Sequence, residues 1–275
     1  MREARILLQS KDFLPEDRIE GTVVVSSDSA FDWEHVVISM HGEEHTRVIR
    51  GSRKHRRLYE EEKEHVCKTL ELSGPGGIDS GNIEFPFAFS LPGECPSSYY
   101  GIHGWIRYNL RARVETPNSG SLEATEEVFV FSLGASQAPK STSTSISEDG
   151  VNLLNVELPD NTINLGQDLM VRILVPERAD FRGVRAEIVH REVVIPEGYE
   201  TDTRTTFSRW YTKKEEFERE EWIEVKLKSS PNWPISFKSD LIRSQYLLKV
   251  TADIPRRFDK SVEIPVQAVL QSLPR

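Results

Sequence analysis

FPFAFSLPGECPSSYYGIHGWIRYNLRARVE, residues 85–115, reads as strand, proline-bracketed turn and strand. Phe85, Phe87, Phe89 and Leu91 recur with a period of two, which gives the first strand one aromatic and apolar face. Pro92 and Pro96 end it. After Gly101 and Gly104 a second run places Ile106, Tyr108, Leu110, Ala112 and Val114 on one face. Arg107, Asn109, Arg111 and Arg113 occupy the other. Such alternation marks a half-buried antiparallel strand.

Working outward, REARILLQ (2–9) and IEGTVVVS (19–26) read as strands joined by the turn KDFLPEDR, with Ile19, Val23 and Val25 facing a core. The β-branched run Val36, Val37, Ile38 predicts a central strand, and Val128 to Phe131 a strand buried on both faces. Residues 74–82, GPGGIDSGN, read as a turn, since no Lys-Ser/Thr or helix follows to cradle a phosphate. ASQAPKSTSTSISEDG, residues 135–150, has Ser or Thr at seven positions and almost nothing to bury. It reads as a linker between an N-terminal domain, 1–134, and a C-terminal one, 151–275.

The second half repeats the grammar of the first. LPEDRIEGTVVV at 14–25 matches LGQDLMVRILV at 165–175, and YNLRARVE at 108–115 matches YLLKVTAD at 246–253. Two matches in the same order predict two copies of one architecture. Between them GVRAEIVHREVVI and EWIEVKLK are strand-like, and 196–214 reads as a polar loop. KKEEFEREEW is either a helical turn or the flank of a hairpin.

The chain has 275 residues, 37% hydrophobic and 29% charged, enough to fill two ordinary cores without metal or disulfide staples. Cys67 and Cys95 are the two cysteines, and neither a glycosylation sequon nor an apolar leader precedes the first strand, so a reducing cytoplasm is expected. A net charge of −9 argues against nucleic-acid binding. No nucleophile elbow, Walker loop or paired zinc cysteines occur, so neither enzymatic activity nor a cofactor is expected. His41-Gly-Glu-Glu-His45 departs from the zincin order; its histidines read as surface residues or, with His35 or a carboxylate, as a metal pair. Cys67 beside His65 reads as a structural thiol. No metal site is assigned.

The ordered string F-P-F-x-F, L-P, P-S-S-Y-Y-G, I-R-Y-x-L-x-A-x-V resembles the N-domain signature of the arrestin-fold superfamily. The resemblance implies an all-β chain of two tandem antiparallel β-sandwiches. Residues 58–83 lack the apolar helical stripe that visual arrestins carry there, which moves the resemblance toward α-arrestins, the arrestin-like retromer subunit and bacterial sporulation-control proteins. It implies a non-enzymatic adaptor or scaffold binding cytoplasmic segments of membrane proteins or other cytosolic proteins. The alternative is a constitutive subunit of a retromer-like or sporulation-control-like assembly.

Charge then selects a surface. Arg47, Arg50, Arg53, Lys54, Arg56 and Arg57 fall within eleven positions, followed by Glu60, Glu61, Glu62 and Glu64. One reading is a solvated hairpin whose arms pair by charge; the other is a contact for an anionic partner, either a protein segment or an anionic membrane surface. In the arrestins the corresponding segment meets receptors, so these six cations are the candidate binding residues.

Overall fold

The computed structural model describes residues 2–52, 55–117, 120–133, 140–177, 179–217 and 220–273. The chain divides into two compact units, Met1–Ser132 and Leu133–Ser272. Among the described residues there is no α-helix, and no helix is long and apolar enough to cross a membrane. Both cysteines are free, Cys67 exposed and Cys95 buried.

The first unit contains β1 (Arg2–Leu8), β2 (Asp12–Phe13), β3 (Arg18–Ser27), β4 (Phe31–Trp33), β5 (His35–Arg50), β6 (Arg57–Ser73), β7 (Gly76–Ile78), β8 (Gly81–Ser90), β9 (Tyr99–Tyr100), β10 (Gly104–Thr116) and β11 (Gly120–Val130). One sheet runs β1-β3-β8; the other runs β2-β11-β10-β5-β6, with β9 added to β10. The period-two faces read from the sequence are the buried ones. Phe85, Phe87, Phe89 and Leu91 lie inside on one sheet, and Ile106, Tyr108, Leu110, Ala112 and Val114 are fully inaccessible on the other. Residues 58–83 hold β6, β7 and the start of β8 rather than a helix.

The second unit contains β12 (Thr142–Glu148), β13 (Val151–Leu158), β14 (Thr162–Asn164), β15 (Leu169–Leu174), β16 (Gly183–Val194), β17 (Thr201–Lys213), β18 (Trp222–Leu227), β19 (Phe237–Lys238), β20 (Ile242–Asp253) and β21 (Lys260–Val269). Its sheets run β12-β13-β15-β18 and β14-β21-β20-β16-β17, with β19 on β20. Leu154, Val156, Val171 and Val225 from the first sheet join Ala186, Ile188, Leu248 and Val266 from the second in one core.

The two units share more than strand order. Tyr108 donates its hydroxyl to the carbonyl of Pro96 at 2.7 Å, and Tyr246 donates to the carbonyl of Pro234 at 2.7 Å. The amide of Val130 donates to Ser98 Oγ at 3.0 Å, and that of Ala268 to Ser236 Oγ at 2.9 Å. In each, a two- or three-residue strand pairs in parallel with the last strand, β2 with β11 and β14 with β21. The duplication expected from two short sequence matches is therefore carried down to individual hydrogen bonds.

Several expectations are corrected. The 135–150 stretch contains β12, antiparallel to β13: Thr142, Thr144 and Ile146 alternate on one face, and Ile146 reaches the core. Residues 196–214, read as a polar loop, hold the 13-residue β17. Among the described strands it is hydrogen-bonded to β16 alone and ends its sheet; Arg204, Thr206 and Arg209 are exposed, while its other threonines and Ser208 are half-buried. Gly76–Ile78 pairs with Phe31–Trp33 instead of forming a simple turn. Phe129 and Phe131 are only half-buried, whereas Val128 and Val130 are fully buried. KKEEFEREEW supplies a single 3-10 turn, Lys214–Glu216, and then β18.

Removing either tyrosine hydroxyl leaves a proline carbonyl without its donor. Tyr108→Phe and Tyr246→Phe should each lower stability by about 1–3 kcal/mol, each in its own unit, read by limited proteolysis of the two units in urea. A second outcome concerns His190, which is buried against Phe207 and Tyr246, with ring centroids 5.0 and 4.9 Å away. Burial pushes its pKa down to about 4. Between that value and the usual 6.5 the unfolded chain takes up a proton that the folded one refuses. Stability of the second unit should hold above pH 6.5 and fall by roughly 3 kcal/mol on acidification to 4, a loss that His190→Gln should suppress in thermal melts.

Candidate functional site

The hairpin of β5 and β6 carries the candidate cations. Its arms run in continuous antiparallel register from Arg50 opposite Arg57 inward to Val36 opposite Ser73, with two irregularities. The paired arms end at Arg50 and Arg57. Gly51 adopts a φ of +95°, and a Cβ there would stand 2.1 Å from the carbonyl oxygen of His55, so only glycine fits the turn. His55 closes it, its amide donating to the Ser52 carbonyl at 3.0 Å.

Arg47, Arg56 and Arg57 are exposed and Arg50 is half-buried; Arg53 and Lys54 lie outside the described residues. Arg47 stands opposite Glu60 in the register, which agrees with arms of opposite charge, while the end of the hairpin has Arg50 opposite Arg57. Arg57 lies over the ring of Tyr59 at 4.8 Å. No acid occurs between positions 47 and 57, so the tip is cationic on a chain of net charge −9.

Two residues were missed by charge-based reading. Ile49 and Leu58 face each other across the strands, 60% and 41% exposed, between Arg50 and Arg57 on one side and Val48 and Tyr59 on the other. What sets this pair apart from other exposed apolar side chains, such as Leu7 and Ile102, is that its two members stand opposite each other with arginines beside them. The signal was present in the sequence as Val-Ile-Arg and Arg-Arg-Leu-Tyr, but only the register makes the apolar residues a pair.

Below the tip the hairpin is braced from β10. The Arg47 amide donates to the His103 carbonyl at 2.7 Å. His45 packs on Trp105 with ring centroids 5.1 Å apart, and its Nε2 lies 2.8 Å from Glu60 Oε1. Arg107 lies over Trp105 at 4.6 Å and over Tyr100 at 5.1 Å. Tyr100 in turn donates to Glu127; burial, and then that carboxylate, raises its pKa to about 12. Arg111 pairs with Glu123 at 2.6 Å and Arg113 with Glu115 at 3.4 Å, so both are outward-facing ion pairs. His35 pairs with Glu71 at 2.8 Å, and this hydrogen bond raises its pKa. The histidines named from the sequence thus do not converge: His35, His41 and His45 share a strand face, but His35 and His45 have separate acidic partners.

Residues 6–133 match the family model of the arrestin (or S-antigen) N-terminal domain, which spans the first unit almost completely. A 56-residue segment is 36% identical to arrestin domain-containing protein 1 of Mus musculus, and equally to its counterparts in Rattus norvegicus and Homo sapiens. That segment is 20% of this chain and 13% of each relative.

If Ile49 and Leu58 serve contact rather than packing, their removal is cheap. The double variant Ile49→Ser, Leu58→Ser should change stability by no more than about 1 kcal/mol, the range of one cross-strand pair, in a urea titration followed by circular dichroism. A substantially larger loss would make the pair a structural element.

Proposed function

The chain belongs to the arrestin-fold superfamily, and from that premise we propose that it is a non-enzymatic cytoplasmic adaptor whose β5–β6 tip docks an acidic or phosphorylated cytoplasmic segment of a membrane protein. The carrying observation is the exposed Ile49–Leu58 pair set among Arg47, Arg50, Arg56 and Arg57. An apolar pair gives a docking segment something to bury, and the surrounding guanidinium groups offer forked hydrogen bonds to carboxylate or phosphate. Arg53 and Lys54 belong to the same basic run by sequence.

Electrostatics favour the same reading. Elsewhere the chain is acidic, so a cationic tip focuses approach of an anionic segment onto one place. The bracing of the hairpin by His45, Trp105 and the Arg47 amide supports a tip presented on rigid strands.

The test is fluorescence polarisation with a labelled multiply phosphorylated acidic peptide. Binding should weaken steeply with salt and fall at least about 10-fold in Arg47→Glu, Arg56→Glu, since each reversal removes a charge-assisted contact. Binding that survives this charge reversal defeats the proposal. Flotation with anionic vesicles in the absence of peptide binding would reassign the tip to a membrane surface. A stoichiometric partner retained from native lysate at high salt would instead favour a constitutive subunit.

A further inference from the structure

Away from the tip, the same hairpin gathers metal-binding chemistry through a slip in its register. His41 on β5 faces Cys67 on β6. Glu64 stands three residues before Cys67, and an odd separation on a regular strand would send the two side chains to opposite faces. The pairing is not regular there. Gly42 faces Val66 while Glu43 faces Glu64, so His65 is an extra residue, a β-bulge. His65 is turned to the other face, where its Nε2 lies 2.9 Å from Oε2 of the fully buried Glu44. Glu64 is thereby restored to the face of His41 and Cys67.

The outcome is an imidazole nitrogen, a thiol sulfur and a carboxylate oxygen, all within 4.8 Å of one another. A tetrahedral ion with bonds of about 2.0–2.3 Å holds its ligands roughly 3.3–3.8 Å apart. Side-chain rotations moving these atoms by about 1 Å complete that geometry. We propose that His41, Glu64 and Cys67 form a zinc site, with water in the fourth position.

The donor set selects the ion. Thiolate and imidazole suit Zn²⁺, whereas Mg²⁺ and Ca²⁺ require oxygen ligands throughout. Access and rigidity both favour binding. Glu64 and Cys67 are exposed and His41 is half-buried, so the ion enters directly from solvent. All three ligands stand on two strands already paired to each other, so little ordering is left to binding. Among the described residues, His41 makes no side-chain hydrogen bond that an ion would have to displace.

The experiment titrates the reduced full chain with Zn²⁺ alone against a chromophoric chelator and counts ions by elemental mass spectrometry. One zinc per chain is expected, weakened at least about 10-fold by His41→Ala and by Cys67→Ser, and unchanged by His45→Ala. Cobalt substitution should give a thiolate-to-metal charge-transfer band that Cys67→Ser abolishes. Zinc should also slow alkylation of Cys67 by iodoacetamide in the wild type but not in His41→Ala, with buried Cys95 as the internal reference. Substoichiometric zinc, binding indifferent to His41→Ala, or equal losses from His41→Ala and His45→Ala would each overturn the site.

Discussion

The hydrogen bond from Tyr108 to the Pro96 carbonyl sets the geometry on which the first unit depends. A phenol buried without access to water must find an acceptor, since an unsatisfied polar group in a core costs a few kcal/mol. The proline turn after β8 supplies it, folding back across β10 at 2.7 Å. That turn also presents Ser98, which exchanges hydrogen bonds with Val130 of β11. One hydroxyl therefore fixes where the chain passes from the three-stranded sheet to the six-stranded one. Burial, followed by the neighbouring Cys95, drives the Tyr108 pKa far above the usual phenol value, so the donor does not ionise at physiological pH. The second unit uses Tyr246, Pro234 and Ser236 in the same way.

Around these clasps the sheets manage their edges by composition. β6 ends its sheet and carries Glu60, Glu61, Glu62, Lys63 and Glu64; β17 ends the other and carries Thr201, Thr203, Arg204, Thr205 and Arg209. Charged and hydroxylated edges discourage pairing with other chains. Each of these hairpins also contains a bulge, at Gly42/Glu43 in the first unit and Ile188/Val189 in the second. A bulge lets one strand change which residues it turns inward without ending the pairing. In β17 the extra residue is Phe207, which stacks on His190 and approaches Trp233 to 4.9 Å. In β6 it is His65, paired with a buried carboxylate.

Legibility followed burial. Strands with one face inside announced themselves by period: Phe85 to Leu91, Ile106 to Val114, and Ile19 to Val25 were readable as apolar stripes and are buried as such. β17 and β12 were not, because an edge strand keeps only a few apolar positions and its Thr and Ser match loop composition as well. Cys67 reads as a structural thiol on the assumption that cysteines sit inside; it stands exposed, opposite His41 on the face turned away from the core. His65 and Cys67, two residues apart, nonetheless have different partners across the hairpin, for a different reason. Strand parity holds only in the absence of a bulge, and a bulge is decided by the partner strand. The basic run was legible as charge, whereas the Ile49–Leu58 pair at its centre required the register.

Duplication explains the scaffold and leaves function to the places where the copies differ. β5 and β6 occupy the positions in the first unit that β16 and β17 occupy in the second. Their reversals are unlike. The first leaves β5 on Gly51 and is flanked by Arg50, Arg56 and Arg57. The second turns through Pro196–Gly198, with Glu197 at a φ of +50° and Glu200 beyond it, and is acidic. Had the arginine run been a requirement of the hairpin, the second copy, built with the same clasp and strand order, would show its counterpart. It shows the opposite charge. The cationic tip and its exposed apolar pair are therefore not repeated by the duplicated scaffold, which is the physical reason to propose recognition there rather than in the aromatic signature shared with the core.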